Sequence, residues 1–400
     1  MYNVVIVGGG IVGLASALKL KEKNPKLKIA VLEKESTLAQ HQTGHNSGVI
    51  HSGLYYKPGS YKAKNCTEGY HALLQFCEEE EIPFEKCGKI VVATAKDQLP
   101  ALETLFNRGK QNGLEGIKKL ASAEALQEFE PHVQGVSGLF VPQTGIIDYK
   151  VVANKYAEKF KHFGGEIFTD NKVLKIRENQ QGLIHVQTNH QEFITRFVIH
   201  CGGLQSDQLA SLSKLKVNYR IIPFRGEYYQ LKAEKEYLVK NLIYPVPDPN
   251  FPFLGVHFTR MINGGVEAGP NAVLAYRREG YRKKDIHFGE FVGSITYKGF
   301  RKVAAKYWKT GLGEFYRSYS KKAFTKALKK LIPEIEKQDL IPGGAGVRAQ
   351  ACDKDGGLLD DFLIVEHPKI LNVGNAPSPA ATSSLAIGKR IAELTAERLG

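Results

Sequence analysis

The chain has 400 residues, of which 55 are Lys or Arg and 41 are Asp or Glu, for a formal net charge of +14. That length buries a large core, as two domains or one domain with a large insertion, and 42% hydrophobic with 24% charged residues is ordinary for a globular chain rather than a disordered one. The cysteines Cys66, Cys77, Cys87, Cys201 and Cys352 are odd in number, scattered and form no CxxC pair, which excludes a disulfide framework or zinc site and points to a reducing compartment.

In chain order, a strand (Asn3–Val7), a glycine turn, a helix to about Lys23 and a strand (Ile29–Glu33) come first. The glycines and Lys19 argue against reading Val4–Leu20 as a signal sequence. No other run reaches the roughly 18 apolar residues that a membrane span needs. A loop rich in Gly, His, Asn and Ser runs to Ser60, followed by a helix from about Lys64 to Glu80. Residues 98–130 read as polar and helical, and Val151–Phe163 as an amphipathic helix. Ile167–Arg177, Ile184–Thr188 and Phe193–His200 read as strands. Residues 220–300, aromatic and β-branched with Pro and Gly breaks, predict an antiparallel sheet. Lys298–Lys330 carries eleven Lys or Arg against one acid, Glu314, with interleaved apolar residues. It predicts one or two basic amphipathic helices broken near Gly311 and Gly313. The chain closes on a strand (Ile370–Val373) and a helix from about Ser384 to Arg398.

Gly8-Gly9-Gly10-Ile11-Val12-Gly13 supplies GxGxxG after an apolar strand and before an apolar helix, and Glu33 ends the next strand twenty residues after Gly13. That full context predicts a dinucleotide site. Gly8 makes the tight turn, Gly10 lets the backbone approach the pyrophosphate, and Gly13 lets the helix pack on the sheet. The helix N-terminus around Ile11 and Val12 favours phosphate. Glu33, with Lys34 beside it, accepts from the ribose hydroxyls. The fingerprint alone fits NAD or FAD. FAD is favoured by Phe197–Gly203, which resembles the strand and turn closing over the flavin nucleotide with Gly202 and Gly203. Asp170–Ile176, including Val173, resembles the strand bracketing the adenine. Leu371–Ala376, with Gly374 and Ala376, returns the chain beneath the flavin. No second GxGxxG serves a separate nicotinamide nucleotide.

His41-Gln-Thr-Gly-His45-Asn46-Ser47-Gly48-Val-Ile-His51-Ser-Gly-Leu-Tyr55-Tyr56 makes the reading specific. It resembles the D-amino-acid oxidase, glycine oxidase and sarcosine oxidase superfamily, and within it the branch acting on L-2-hydroxyglutarate. Phe224–Tyr229, Pro252–Arg260, Gly269–Val273, Arg277–Arg282, Gly346–Gln350 and Asn375–Ser383 extend the resemblance over essentially the whole chain. One departure is that the superfamily's Gly-His-rich C-terminal flavin segment reads Gly374-Asn375-Ala376-Pro377 here. The resemblance implies an α/β fold in which a discontinuous Rossmann-like FAD domain (1–85, 148–215 and 340–400) carries an inserted α+β antiparallel-sheet substrate domain (86–147 and 216–339). It implies oxidation of (S)-2-hydroxyglutarate to 2-oxoglutarate on FAD held non-covalently, with electrons passing to oxygen or the respiratory chain. His45 is the position at which some relatives attach FAD covalently. Asn46, Ser47, Gly48 and Gly346 are expected along the cofactor.

Such chemistry needs the C2 hydride facing flavin N5, a base for the hydroxyl proton, and fixed carboxylates. His51, in the loop expected beside the flavin, and His257, on the substrate sheet, are the candidate bases. Arg348 resembles the arginine that grips the substrate carboxylate, where a planar fork binds bidentately. Arg260 is a second candidate, although three residues beyond His257 on a straight strand it faces the other way. Arg277 or Arg278 is a candidate clamp for the distal carboxylate, and Arg225 reads as structural. Tyr55 and Tyr56 are expected to line the flavin face, with one of them in the core. The expected partner is a small dianionic hydroxy acid, and no metal is expected. A quinone and an anionic membrane surface are expected at the basic helices of a cytoplasmic protein docked on the inner face of the membrane. The alternatives are another acid, an amino acid or glycerol phosphate as substrate. A flavoprotein that binds nucleic acid is a further alternative, for which no motif speaks.

Overall fold

A computed structural model describes residues 1–248 and 254–399; Pro252 and Phe253 of the quoted Pro252–Arg260 segment lie outside the described residues. The run Tyr2–Val7 forms the central strand of an eight-stranded sheet. It pairs in parallel with Ile29–Leu32 on one side and Glu192–His200 on the other. Its side chains alternate between two apolar layers, Val4 and Ile6 into one and Val5 and Val7 into the other. A strand covered on both faces has to be apolar throughout, which is what the sequence supplies. Glu166–Phe168 extends the parallel set beyond Ile29–Leu32, and Ile370–Asn375 adds to the far edge of Glu192–His200.

The first layer is made by the helices Ile11–Lys23, Tyr61–Glu79, Tyr149–His162 and Ser384–Leu399. The first and last of these cross closely at Gly388, where a Cβ would sit 2.7 Å from the Ala15 backbone. The hairpin Val173–Glu178 with Ile184–Thr188 covers the opposite face.

The second sheet has nine strands and is mostly antiparallel. Its spine is Tyr219–Leu231 paired along its length with Leu340–Asp353. His257–Arg260, Val266–Gly269, Leu242–Pro245, Lys89–Ala93, Ser137–Val141 and Lys118–Leu120 continue it. The helix Lys321–Leu328 seals one face with Phe324 and Leu328.

Five expectations change. Ile167–Arg177 is two strands at opposite edges of the first sheet, because Asp170 turns the chain at φ +56°. The strand Lys118–Leu120 interrupts the helical stretch 98–130. The end of 220–300 is a helix, Phe288–Thr296. Leu340–Asp353 belongs to the second sheet rather than to the nucleotide-binding part, so the return to the first sheet comes after Asp353. The basic segment does not break at Gly311 and Gly313: Lys298–Tyr319 is helical on either side of a kink at Tyr307 (φ −111°, ψ 19°), and Lys321–Leu328 follows after Ser320. Neither glycine is crowded, so nothing forces a turn there.

Candidate active site

A cavity of about 1260 Å³ lies between the two sheets. It exceeds the roughly 300–1,000 Å³ usual for small-molecule sites, which leaves room for a dinucleotide and an organic acid side by side.

At one end is the glycine turn. Gly8 has φ +119°, and a Cβ there would lie 2.3 Å from the Cys201 carbonyl oxygen. Gly10 caps the helix, and Ile11 N–H donates to Thr43 Oγ1 at 3.0 Å. Gly8, Gly10, Ile11 and Val12 line the cavity. Gly13 does not; a Cβ there would lie 2.0 Å from Gly8 O, so it serves helix packing as the motif requires. Glu33 is buried, and its carboxylate accepts from Gly9 N (2.8 Å) and Glu35 N (2.9 Å). Lys34 lines the cavity and is held by Glu279 (2.6 Å) and Glu35 (2.9 Å). Val173, Gly202, Gly203, Gly374 and Ala376 complete this end.

In the middle, Asn46, Ser47 and Gly346 line the cavity, and Gly346 packs so closely that a Cβ would lie 2.6 Å from His45 O. Gly48 does not reach it; its φ of +64° makes a turn against Ile147 O. His45 lines the cavity with its ring stacked on Tyr281 at 4.0 Å and Nδ1 3.1 Å from His41 O.

The other end is built on the second sheet. Antiparallel register sets Gly226 opposite Gly346 and Phe224 opposite Arg348. Gly226, Tyr228 and the consecutive residues Gly346, Val347, Arg348, Ala349 and Gln350 line the cavity from these two strands. His257 lines it from a neighbouring strand, stacked on Tyr244 at 3.9 Å, with Nδ1 2.9 Å from Gly255 O. A carbonyl only accepts, so Nδ1 carries the proton and Nε2 keeps its lone pair. His51 follows the short strand Val49–Ile50 of a separate three-stranded sheet; its backbone N–H donates to Thr382 Oγ1 (3.1 Å) and its Nε2 lies 3.2 Å from Ser378 Oγ. Burial, then the positive charge of Lys89 and the proximity of His257 and Lys62, pushes His51 down to about 3. Burial likewise brings His257 to about 3, helped by Arg348 and Lys89 and opposed by the Gly255 carbonyl. Both rings are therefore neutral near pH 7, the state a base requires.

Tyr55 and Tyr56 both line the cavity, and Tyr55 also packs against two of the core clusters. Arg277 lines it as well. Arg260 does not. As strand alternation requires, it points away from His257's side and pairs with Glu85 at 2.5 Å. Arg278 is buried against Asp207 (2.5 and 2.8 Å) and Leu204 O, and Arg225 against Glu227 (2.9 Å), so both are structural.

Sequence reasoning missed Lys89, Tyr244, Arg108 and Gln350. Arg108 lines the cavity and donates to Tyr55 O at 3.1 Å. Lys89 heads the apolar run Ile90–Ala93, where a lysine reads as a solvated strand end. Gln350 lines the cavity two residues beyond Arg348.

The residues fit FAD. The Gly8 and Gly10 cradle opens on a helix N-terminus with the Glu33 carboxylate alongside. Tyr55 Oη, Gln205 Oε1 and Asn375 Oδ1 are buried, have no hydrogen-bond partner among the described residues, and belong to residues that line the cavity. Buried polar atoms are rarely left so, and a polar ligand would satisfy them.

Residues 3–394 match the family of FAD dependent oxidoreductases. The chain is 61% identical to an L-2-hydroxyglutarate dehydrogenase of Indibacter alkaliphilus over 99% of both chains. It is 45% identical to the human mitochondrial L-2-hydroxyglutarate dehydrogenase over 99% of this chain and 89% of that one. Among solved structures, the FAD-bound L-alpha-glycerophosphate oxidase of Mycoplasma pneumoniae superposes with a TM-score of 0.81 at 26% identity, over 99% of this chain and 94% of that one.

Proposed function

The chain belongs to the FAD dependent oxidoreductase family, and on that premise we propose that it oxidises (S)-2-hydroxyglutarate to 2-oxoglutarate with FAD as cofactor. The observation that carries this reading is one cavity joining a dinucleotide cradle to Arg348 and two neutral histidines. FAD, when bound, supplies the acceptor for the hydride leaving C2. Gly8, Gly10, Glu33, Lys34, Val173, Gly202, Gly203, Asn46, Ser47, Gly346, Gly374 and Ala376 hold it. Arg348 fixes the carboxylate beside the reacting carbon with its guanidinium fork. The His51–His257 pair takes the hydroxyl proton, one ring as base and the other as its orienting neighbour. Tyr55 Oη donates to the substrate, and Arg277 stands at the approach. The cofactor is read as held non-covalently, and its release from acid-denatured protein tests this: flavin that stays with the precipitate overturns it, with His45, which lines the cavity, as the attachment point. The test is 2-oxoglutarate formation with an artificial electron acceptor. (S)-2-Hydroxyglutarate is expected to give the highest kcat/KM of a panel with glycerol phosphate, glycine and lactate. A higher value on any other member overturns the substrate assignment.

The electron acceptor is proposed from the basic helix. Trp308, Leu312 and Tyr316 recur every four residues on Lys298–Tyr319 and are 56%, 61% and 67% exposed. Lys306 and Lys309 are exposed on the same segment, with Lys309 Nζ 5.6 Å from the Trp308 ring centre. Glu314, the sole acid of 298–330, faces inward, accepting from Ala272 N and pairing with Arg317. The exposed face is therefore cationic and aromatic, the composition that favours an anionic headgroup region. It docks the protein peripherally on a membrane, where a quinone takes the electrons. No helix among the described residues is long and apolar enough to cross a membrane. Each engaged Lys or Arg contributes about 1 kcal/mol. Sedimentation with anionic vesicles at low salt is expected to carry the protein down, and neutral vesicles or high salt to leave it in solution. No preference for anionic lipid at low salt overturns the docking.

A further inference from the structure

Lys89 opens a strand of the second sheet and is 1% exposed. Among the described residues no carboxylate pairs with it. Its ammonium lies 4.4 Å from the Tyr55 ring centre and 4.9 Å from that of Tyr244, and both rings line the cavity. The titratable groups around it are Tyr55, Tyr244, Cys66, His51 and His257, with Arg348 and Lys62 acting on the same histidines. None of these is an acid. A buried cation without a counter-ion is costly, and replacing it with an apolar side chain of similar volume is expected to be neutral or stabilising. The fold carries that cost one aromatic ring from a cavity whose Tyr55 hydroxyl is buried and has no hydrogen-bond partner among the described residues.

We propose that Lys89 is a positioning residue that sets the charge preference of the site: acting through the Tyr55 and Tyr244 rings, it provides the countercharge for a second carboxylate that accepts a hydrogen bond from Tyr55 Oη. The site thereby selects dicarboxylates over monocarboxylates. This deepens the hydroxy-acid reading and rests on it. A cation against the face of a phenol draws electron density from the ring and makes its O–H a stronger donor. Arg348 holds one carboxylate and the Lys89–Tyr55 pair the other, which leaves C2 between them. Burial lowers Lys89 to about 7. An arriving anion favours the charged form, so dicarboxylate affinity falls as pH rises through that value.

The experiment compares wild-type, Lys89→Met and Lys89→Arg holoenzymes. Apparent Kd from the saturation of anaerobic flavin reduction is measured for (S)-2-hydroxyglutarate and for (S)-2-hydroxybutyrate, together with the melting temperature. Lys89→Met is expected to weaken the dicarboxylate about tenfold or more, the order of one lost charge interaction of about 1.4 kcal/mol. It leaves the monocarboxylate nearly unchanged, abolishes the alkaline fall in affinity and melts at or above the wild-type temperature. Lys89→Arg keeps the preference for the dicarboxylate. Equal losses on both acids with a lower melting temperature make Lys89 a structural residue and overturn the proposal, as does an unchanged dicarboxylate Kd. Failure of the substrate reading shows instead in the wild type, as a different acid reducing the flavin best. The ratio of Lys89→Met to wild type for that acid against its analogue with one charge fewer then decides the proposal in the same way.

Discussion

Replacing Arg348 with lysine is expected to lower kcat/KM for (S)-2-hydroxyglutarate by about 2–5 kcal/mol of transition-state binding, roughly 30- to 5,000-fold. The size follows from geometry. Arg348 reaches the cavity because the strand Leu340–Asp353 is locked to Tyr219–Leu231 residue by residue, with Phe224 opposite Arg348 and Gly226 opposite Gly346. A lysine on the same Cα keeps the charge but offers a point donor in place of a planar fork, so one carboxylate oxygen loses its bond and C2 loses its orientation. Both kcat and KM are expected to suffer, while FAD content stays at the wild-type level because the Gly8 and Gly10 turn follows a strand of the other sheet and the Gly346 backbone is unchanged. A variant with unchanged kcat/KM takes Arg348 out of the site.

Substituting alanine for the histidine that acts as base is expected to slow flavin reduction by about 10²–10⁴-fold with FAD still bound. His51 lies in the loop after Val49–Ile50 and His257 on the second sheet, and His257 helps to lower His51, so both single variants are needed. The base is the residue whose loss also abolishes the acid limb of the pH profile. The sign is fixed by chemistry: the neutral ring is active, and activity is lost as pH falls through the folded value. Because burial holds both rings at about 3, the limb in kcat/KM is expected near that pH rather than near the unperturbed value of about 6.5. Two variants that reduce flavin at the wild-type rate contradict the assignment, whereas a limb near about 6.5 leaves histidine as the base and contradicts only the downward shift by burial.

The nucleotide half was legible from the chain because its signals are local. A strand apolar on both faces, glycines where a Cβ would strike backbone, and an acid at the end of the next strand all lie within 33 residues. The second sheet was legible as antiparallel, but its membership was not. Leu340–Asp353 pairs with Tyr219–Leu231 across more than a hundred residues, and no local pattern encodes a partner at that distance. Arg260 illustrates a rule that outweighed a resemblance: strand alternation placed it opposite His257, and Glu85 holds it there. Lys89 was invisible for a different reason. Its residue type argues for solvent, and only the stacking of distant strands and the Tyr55 loop encloses it. The break expected at Gly311 and Gly313 failed because an exposed helix tolerates glycine at a cost of about 1 kcal/mol each.

The most direct measurement of the central claim is anaerobic mixing of the holoenzyme with each enantiomer of 2-hydroxyglutarate while flavin absorbance is followed. A site that holds both carboxylates presents the C2 hydrogen of one enantiomer to the cofactor and that of the other away from it. Rapid, complete bleaching by the (S) enantiomer, with one equivalent of 2-oxoglutarate formed per flavin and no reaction with the (R) enantiomer, is the expected result. A flavin that stays oxidised with (S)-2-hydroxyglutarate, or that bleaches equally with both enantiomers, contradicts the account.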